Sequence, residues 1–322
     1  MPDSRGAVSR CGERRPCGRT AAGGGIQRRL RGERVSSVSL PVWIRERKLN
    51  LGQLHEVRSV MSRGRLHTVC DEARCPNRSE CFSRGTATFL IMGDVCTRSC
   101  RYCSIAHGRP RALDAGEPAE LARAARTMGL KHVVVTSVDR DDLPDGGAAH
   151  FAAVIAELKK LQPRPTVEVL TPDFRGDRAA VDVVLGAGPD VYNHNVETVR
   201  RLYPRVRRQG RYDWALEVIE HVAKRGDGLV TKSGLMVGLG ETREELEATL
   251  RDLKAVSCQV VTIGQYLRPT SSEVPVVRYW APEEFAELDA YGRSLGLEVI
   301  AGPFVRSSYH AEEAFLRASG RA

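Results

Sequence analysis

The 322-residue sequence predicts an α/β protein built as a partial (β/α)6-type, TIM-like barrel. Two observations carry this expectation. From residue 86 onward, apolar strand-like runs alternate with helix-length amphipathic segments, repeating about every 30–40 residues. Cysteines crowd directly behind the first run, and a barrel of this kind keeps its chemistry at the C-terminal ends of its strands. A doubly wound open sheet is the competing arrangement, with its site at the same strand ends.

Residues 1–36 are rich in Arg, Gly and Ser and poor in large apolar side chains. Such a segment cannot bury enough surface to offset its ordering entropy, so a disordered tail is expected, with no role for Cys11 and Cys17. An organelle transit peptide is a rival reading, against which Asp3, Glu13 and Glu33 weigh, and a start assigned too far upstream is another. Residues 37–85 form an N-terminal arm holding "CDEARCPNRSEC", with Cys70, Cys75 and Cys81. The barrel is expected over 86–300, with strands at 86–92, 132–138, 166–172, 191–197, 228–239 and 260–267, and a last strand-like run at 297–305. Helices are expected at 117–129, 147–161, 178–186, 212–225, 242–256 and 282–295, and a C-terminal segment covers 301–322.

Composition narrows the class. No run of about 18 apolar residues is present, which argues against a membrane span. The net charge of +9 favours an acidic partner, but aromatics make up only 6% and no basic stripe is interleaved with them, which argues against nucleic acid. Six of the nine cysteines fall between 70 and 103, with no apolar signal segment before them. A reducing, cytoplasmic setting follows, where clustered cysteines serve as metal ligands or reactive thiols rather than disulfides. An organelle matrix is the alternative if the tail is a transit peptide.

"CTRSCRYC" places Cys96, Cys100 and Cys103 on the loop behind the first strand. Three thiolates on one loop suit a cubane iron–sulfur cluster, binding three irons and leaving the fourth open for substrate. Structural zinc is the bland alternative, but it takes four ligands and favours paired Cys-x2-Cys knuckles. This spacing, with Tyr102 before the third cysteine, resembles the signature loop of the radical S-adenosylmethionine superfamily. The resemblance implies that the open iron binds S-adenosylmethionine, whose one-electron cleavage yields a radical that takes hydrogen from an unactivated carbon.

The upstream triplet, "TSVDRDDLPDGGA" (136–148), "NHNVET" (193–198), "GLMVGLGET" (234–242), "QYLRPT" (265–270) and "VRSSYHAEE" (305–313) together resemble the lipoyl synthase family over about residues 40–315. The resemblance implies two [4Fe-4S] clusters and S-adenosylmethionine as cofactors. Cys70, Cys75 and Cys81 would hold the auxiliary cluster, with Ser308, less readily Ser307, as its fourth ligand; a helix N-cap is the other reading of these serines. The implied reaction inserts two sulfurs, at C6 and C8 of an octanoyl chain on a carrier-domain lysine, taken from the auxiliary cluster. The arm and the C-terminal segment would then cover the barrel mouth. Implied partners are octanoylated carrier domains of 2-oxoacid dehydrogenase E2 subunits, the glycine-cleavage H protein, a ferredoxin or flavodoxin electron donor and an iron–sulfur carrier. A non-catalytic iron–sulfur or zinc nucleic-acid binder, a biotin-synthase-like enzyme and a methylthiotransferase are the alternatives.

Other residues carry open readings. Gly238, Gly240 and Glu241 resemble the superfamily segment that lines the adenine and methionine side, or they form a plain loop. Asn193 and Asn195 bond the ribose or substrate, or satisfy a strand end, and His194 between them reads as packed. Asp139, with Asp141 and Asp142, meets the methionine moiety or forms a solvated turn. Cys258 reads as core. Arg205, Arg207, Arg208 and Arg211 read as a solvated face or a dock for an acidic carrier.

Overall fold

The structure, a computed structural model, describes residues 39–45, 59–72, 75, 77, 81, 86–226 and 228–320, all within the compact unit Ser37–Ala322. The expected tail, with Cys11 and Cys17, lies outside the described residues.

Ten strands are numbered in chain order among the described residues: β1 (His67–Thr68), β2 (Thr86–Ile91), β3 (Val95–Cys96), β4 (Ala106–His107), β5 (His132–Ser137), β6 (Thr166–Leu170), β7 (Val191–Asn193), β8 (Val230–Val237), β9 (Val260–Gln265) and β10 (Glu298–Gly302). The main sheet runs β1-β2-β5-β6-β7-β8-β9-β10, with every neighbouring pair from β2 onward parallel and β1 antiparallel on β2. Helices Glu117–Thr127, Ala148–Lys159, Arg178–Gly186, Tyr212–Arg225, Arg243–Ala255 and Pro282–Ser294 each return the chain to the next strand. Sequential order without a reversal leaves no topological switch point, so the doubly wound alternative is set aside. Among the described residues β2 and β10 do not pair, so the barrel is partial.

Two strands fall three or more residues short of their expected ends, the others by one or two. The run 191–197 stops at Asn193, and beyond it pairing with β8 returns only as a single bridge between Glu197, which takes a left-handed backbone (φ 62°), and Leu235. The run 297–305 stops at Gly302, before Pro303, which has no amide hydrogen for a ladder.

Side-chain alternation divides the two faces of the sheet. Val133 and Val135 of β5, Val167 and Val169 of β6, and Val261 and Ile263 of β9 pack outward against the helices. The intervening positions include His132, Glu168, Lys232 and Thr262, all buried. Glu168 accepts from Lys232 Nζ at 2.9 Å, and its other oxygen lies 3.1 Å from His132 Nε2. Burial alone would push the Glu168 carboxyl up; Lys232 and His132 outweigh it and hold it at about 2.

The segment after β10 runs along this interior. The Val305 carbonyl lies against Gly264, where a Cβ would come within 2.0 Å of its oxygen. Ser307 then sits beside Gly234, Ser308 beside Thr88, and helix Ala311–Ala318 packs Ala314 and Phe315 on Val191, Val230 and Val260, the first residues of β7, β8 and β9. The segment therefore borders the mouth, as expected, and also plugs the opposite end. Among the described residues no helix is long and apolar enough to cross a membrane.

Candidate functional site

The first cysteine loop is closed at its base by pairing of Val95 and Cys96 with Ala106 and His107. It is laced to two other loops: Thr97 N–H donates to the Asp139 carbonyl (3.0 Å), Arg101 N–H to that of Val206 (2.9 Å) and Ser99 N–H to Gln209 Oε1 (2.8 Å). The amides of Arg98 and Asp139 both donate to Cys96 Sγ, at 3.4 and 3.3 Å. Such donors suit a sulfur that carries negative charge.

Arg98 fixes the loop from inside. Its side chain is 1% exposed and forks onto Asp141 (2.7 and 2.8 Å) and Asp173 (2.8 and 2.9 Å), with Asp139 at 3.4 Å. Burial would raise the Asp173 carboxyl; Arg98 and the charge of Arg207 hold it at about 2. At Asp139 burial prevails and the carboxyl is raised. Asp141 is thus committed to Arg98, and Asp142 pairs with Arg140 (2.8 Å), leaving Asp139 of the three to line the cavity.

That cavity, about 530 Å³, is walled by Cys96, Cys100 and Cys103, by Asp139, and by His194, Asn195, Glu197 and Arg207. The size suits a small charged cofactor. Burial pushes the thiols up, Cys96 to about 11 and Cys100 and Cys103 to about 12. Desolvated thiols of this kind ionise when a metal replaces the proton. Among the described residues no three Cys, His, Asp or Glu side chains converge on one point as ligands of a single ion would. Asn195 links the walls: its amide donates to Glu197 (3.2 Å), its side-chain oxygen accepts from Ser307 (2.9 Å), and its backbone carbonyl accepts from Arg207 (3.0 Å). Glu197 also accepts from the hydroxyl of the half-buried Tyr102. His194 lies with Nδ1 2.8 Å from the Thr171 carbonyl, and burial lowers it to about 4, so it is neutral and packed as expected.

A second cavity, about 450 Å³, shares the wall of Tyr102, Cys103, Asn195 and Glu197. Its far side brings together Cys70, Cys75, Thr88, Ser307 and Ser308. Cys70 rides on the short helix Val69–Glu72, and its carbonyl accepts from Cys75 N–H at 3.1 Å. Burial, then repulsion from Cys75 and Cys81, raises the Cys70 thiol strongly. The arm is tied to both other parts: Ser104 of the first loop donates to the Glu72 carbonyl (3.1 Å), and Asn77 donates to that of Phe304 (2.5 Å).

Neither serine caps the last helix, whose N-cap is His310 in a left-handed conformation (φ 51°). Ser307 donates to Asn195, while Ser308 Oγ accepts from Thr88.

Several expected residues stand elsewhere. Asn193 faces the buried ionic group, donating to Glu168 at 3.2 Å. Gly238, Gly240 and Glu241 line neither cavity. Glu241 accepts from the amides of Gly238 and Leu239 and from Trp280 Nε1 (2.9 Å), bracing a turn that needs Gly238 at φ 101°. Arg207 is buried in the cavity wall, so of the basic run only Arg205, Arg208 and Arg211 remain exposed. Sequence reasoning missed Arg98, Glu197 and Thr88. The acid-rich "DRDD" was the signal for Arg98, since a cation between ligand thiols needs acidic partners.

The sequence profile of the Radical SAM superfamily matches residues 90–253. The chain is 52% identical over 277 residues to the lipoyl synthase of Xanthomonas oryzae pv. oryzae (strain MAFF 311018), covering 84% of this chain and 82% of that one. It is 53% identical over 277 residues to the lipoyl synthase of Xylella fastidiosa (strain 9a5c), covering 84% and 74%. Among solved structures, HydG, a maturase of the [FeFe]-hydrogenase, superposes with TM-score 0.55 at 16% identity, covering 82% of this chain and 70% of that one. Methylornithine synthase (PylB) gives 0.50 at 14% identity, covering 80% and 83%. These two likenesses concern the fold alone.

Proposed function

The chain belongs to the lipoyl synthase family of radical S-adenosylmethionine enzymes, and from that premise we propose how its residues divide the reaction. The family's cofactors are a [4Fe-4S] cluster and S-adenosylmethionine. Together, when bound, they supply the one-electron cleavage that activates an unreactive C–H bond. Cys96, Cys100 and Cys103 hold that cluster, and Arg98 fixes their loop. Asp139, Asn195, Glu197 and Tyr102 supply polar contacts to S-adenosylmethionine and limit water at the shared wall.

Cys70, Cys75 and Cys81 of the arm (37–85), with Ser308 of the C-terminal segment, hold a second [4Fe-4S] cluster as sulfur source for C6 and C8 of the octanoyl chain. One observation carries this division: Cys103 of the first loop lines the same cavity as Cys70, Cys75 and Ser308. A radical centre and a sulfur source must be adjacent, since proximity converts a second-order encounter into a positioned one. Ser308 is favoured over Ser307 because Ser307 donates to Asn195. The cytoplasm is the proposed location, and octanoylated E2 domains and H protein are the proposed carriers. Arg205, Arg208 and Arg211 offer an acidic carrier an exposed basic face beside the first cavity. A ferredoxin or flavodoxin and an iron–sulfur carrier complete the partners.

The test separates the triplets. Cys100→Ala is expected to abolish deoxyadenosine release. Cys75→Ala is expected to keep it and lose lipoyl product. Lipoyl formation by Cys75→Ala would overturn the division.

A further inference from the structure

We infer that Thr88 is a positioning residue that presents the Ser308 oxygen to iron at the Cys70–Cys75–Cys81 site. The inference rests on the reading of Ser308 as a ligand. Thr88 is buried on β2, at 5% exposure, in a strand locked in parallel register with β5. Its β-branched side chain has few rotamers open to it, so the hydroxyl is held in place. It donates to Ser308 Oγ at 2.8 Å, across 220 positions of sequence. Cys70 lines the same cavity as this residue. Thr88 thus binds the serine supplied by the C-terminal segment and stands on one cavity wall with Cys70 of the arm.

The direction of the hydrogen bond matters. Thr88 supplies the hydrogen, so the hydroxyl proton of Ser308 is not engaged in this bond. When Ser308 binds iron, the O–H bond breaks, the Fe–O bond forms and the proton leaves to solvent, with no change of oxidation state. The Thr88 bond survives and now meets an anionic oxygen, which strengthens it. When the iron leaves, the oxygen takes a proton back and Thr88 still holds the serine in place. A hydrogen bond to a charged group shifts an equilibrium by roughly ten- to a hundredfold.

The test uses the whole chain, reconstituted anaerobically, with Thr88→Val, Thr88→Ser, Ser308→Ala and the Val/Ala double variant. Iron transfer to a chelator is timed, and Mössbauer spectra follow the oxygen-ligated iron. Thr88→Val is expected to release about one iron per chain at least roughly tenfold faster, with Thr88→Ser near wild type. The double variant is expected to match Ser308→Ala, because the hydroxyl acts only through the serine. Wild-type behaviour of Thr88→Val beside a labile Ser308→Ala overturns the inference and leaves the ligand reading standing. Wild-type behaviour of Ser308→Ala removes both. A readout without iron covers poor cluster loading: amide exchange over 305–310 in the apoprotein should quicken in Thr88→Val and not in Thr88→Ser. Unchanged exchange in Thr88→Val also counts against the inference.

Discussion

Replacing Arg98 by Met probes the centre of the first cysteine loop. The guanidinium is 1% exposed and Asp173 is equally hidden, while Asp139 and Asp141 keep 18% and 29% of their side-chain surface. Methionine fills much of the volume and leaves these carboxylates without their fork. Removing one partner of a buried ion pair costs about 3–5 kcal/mol. Lysine keeps the charge but not the fork, so Arg98→Lys should lose roughly one or two charge-assisted hydrogen bonds, about 1.5–3 kcal/mol. Urea unfolding of the whole chain at pH 7 measures both. The pH dependence gives a second sign. In the wild type the Asp173 carboxyl is depressed to about 2, so its contribution is full above its ordinary value and is lost as pH falls through about 2. In Arg98→Met burial prevails, the folded carboxyl binds its proton more readily, and the variant recovers as pH falls. The stability gap should therefore narrow between pH 7 and 4. A pH 7 difference under about 1 kcal/mol, or a gap that widens on acidification, would refute the reasoning.

Two further outcomes are expected. Gly264→Ala sets a Cβ about 2.0 Å from the Val305 oxygen, so the C-terminal segment must shift; overpacking of this kind costs about 1–3 kcal/mol, and amide exchange over 303–309 should rise, whereas unchanged exchange would show that the contact is slack. Lys232→Met strands the Glu168 carboxylate at a loss of about 3–5 kcal/mol at pH 7, and the loss should shrink on acidification, since the stranded carboxyl takes up its proton in the folded state at higher pH than in the wild type, where it is held at about 2; Glu168→Gln in the same chain should return most of the loss, and failure to do so would mean that packing, not charge, is at stake.

Periodicity made the barrel legible, because strands and crossover helices carry their pattern within a dozen residues. The cysteine spacing made the two ligand sets legible for the same reason. What escaped depends on distant partners. Arg98 reads as an ordinary loop charge until Asp173 is brought to it from 75 positions away. Glu197 sits inside an apparently alternating run, and nothing local announces its left-handed backbone. "GLGE" reads as a ligand loop, yet Glu241 answers to Trp280, 39 positions on. The basic run divides only when packing buries Arg207 and leaves its neighbours outside. "RSSY" resembles a cap by composition, but the cap position falls two residues beyond Ser308, at His310.

The second cavity is closed by the longest-range contacts of the site. Asn77 reaches Phe304 across 227 positions and Thr88 reaches Ser308 across 220. The first cavity draws its walls from residues 90–273 alone. Loop-closure entropy rises slowly with length, by about 0.6 kcal/mol per doubling, so these closures are affordable at equilibrium. Their effect is on timing, since contacts of high sequence separation form late. The first site thus needs nothing beyond Glu273, whereas the second is complete only once the segment beyond β10 lies along the barrel interior. Fraying from that end would dissolve the second site while the first stays whole.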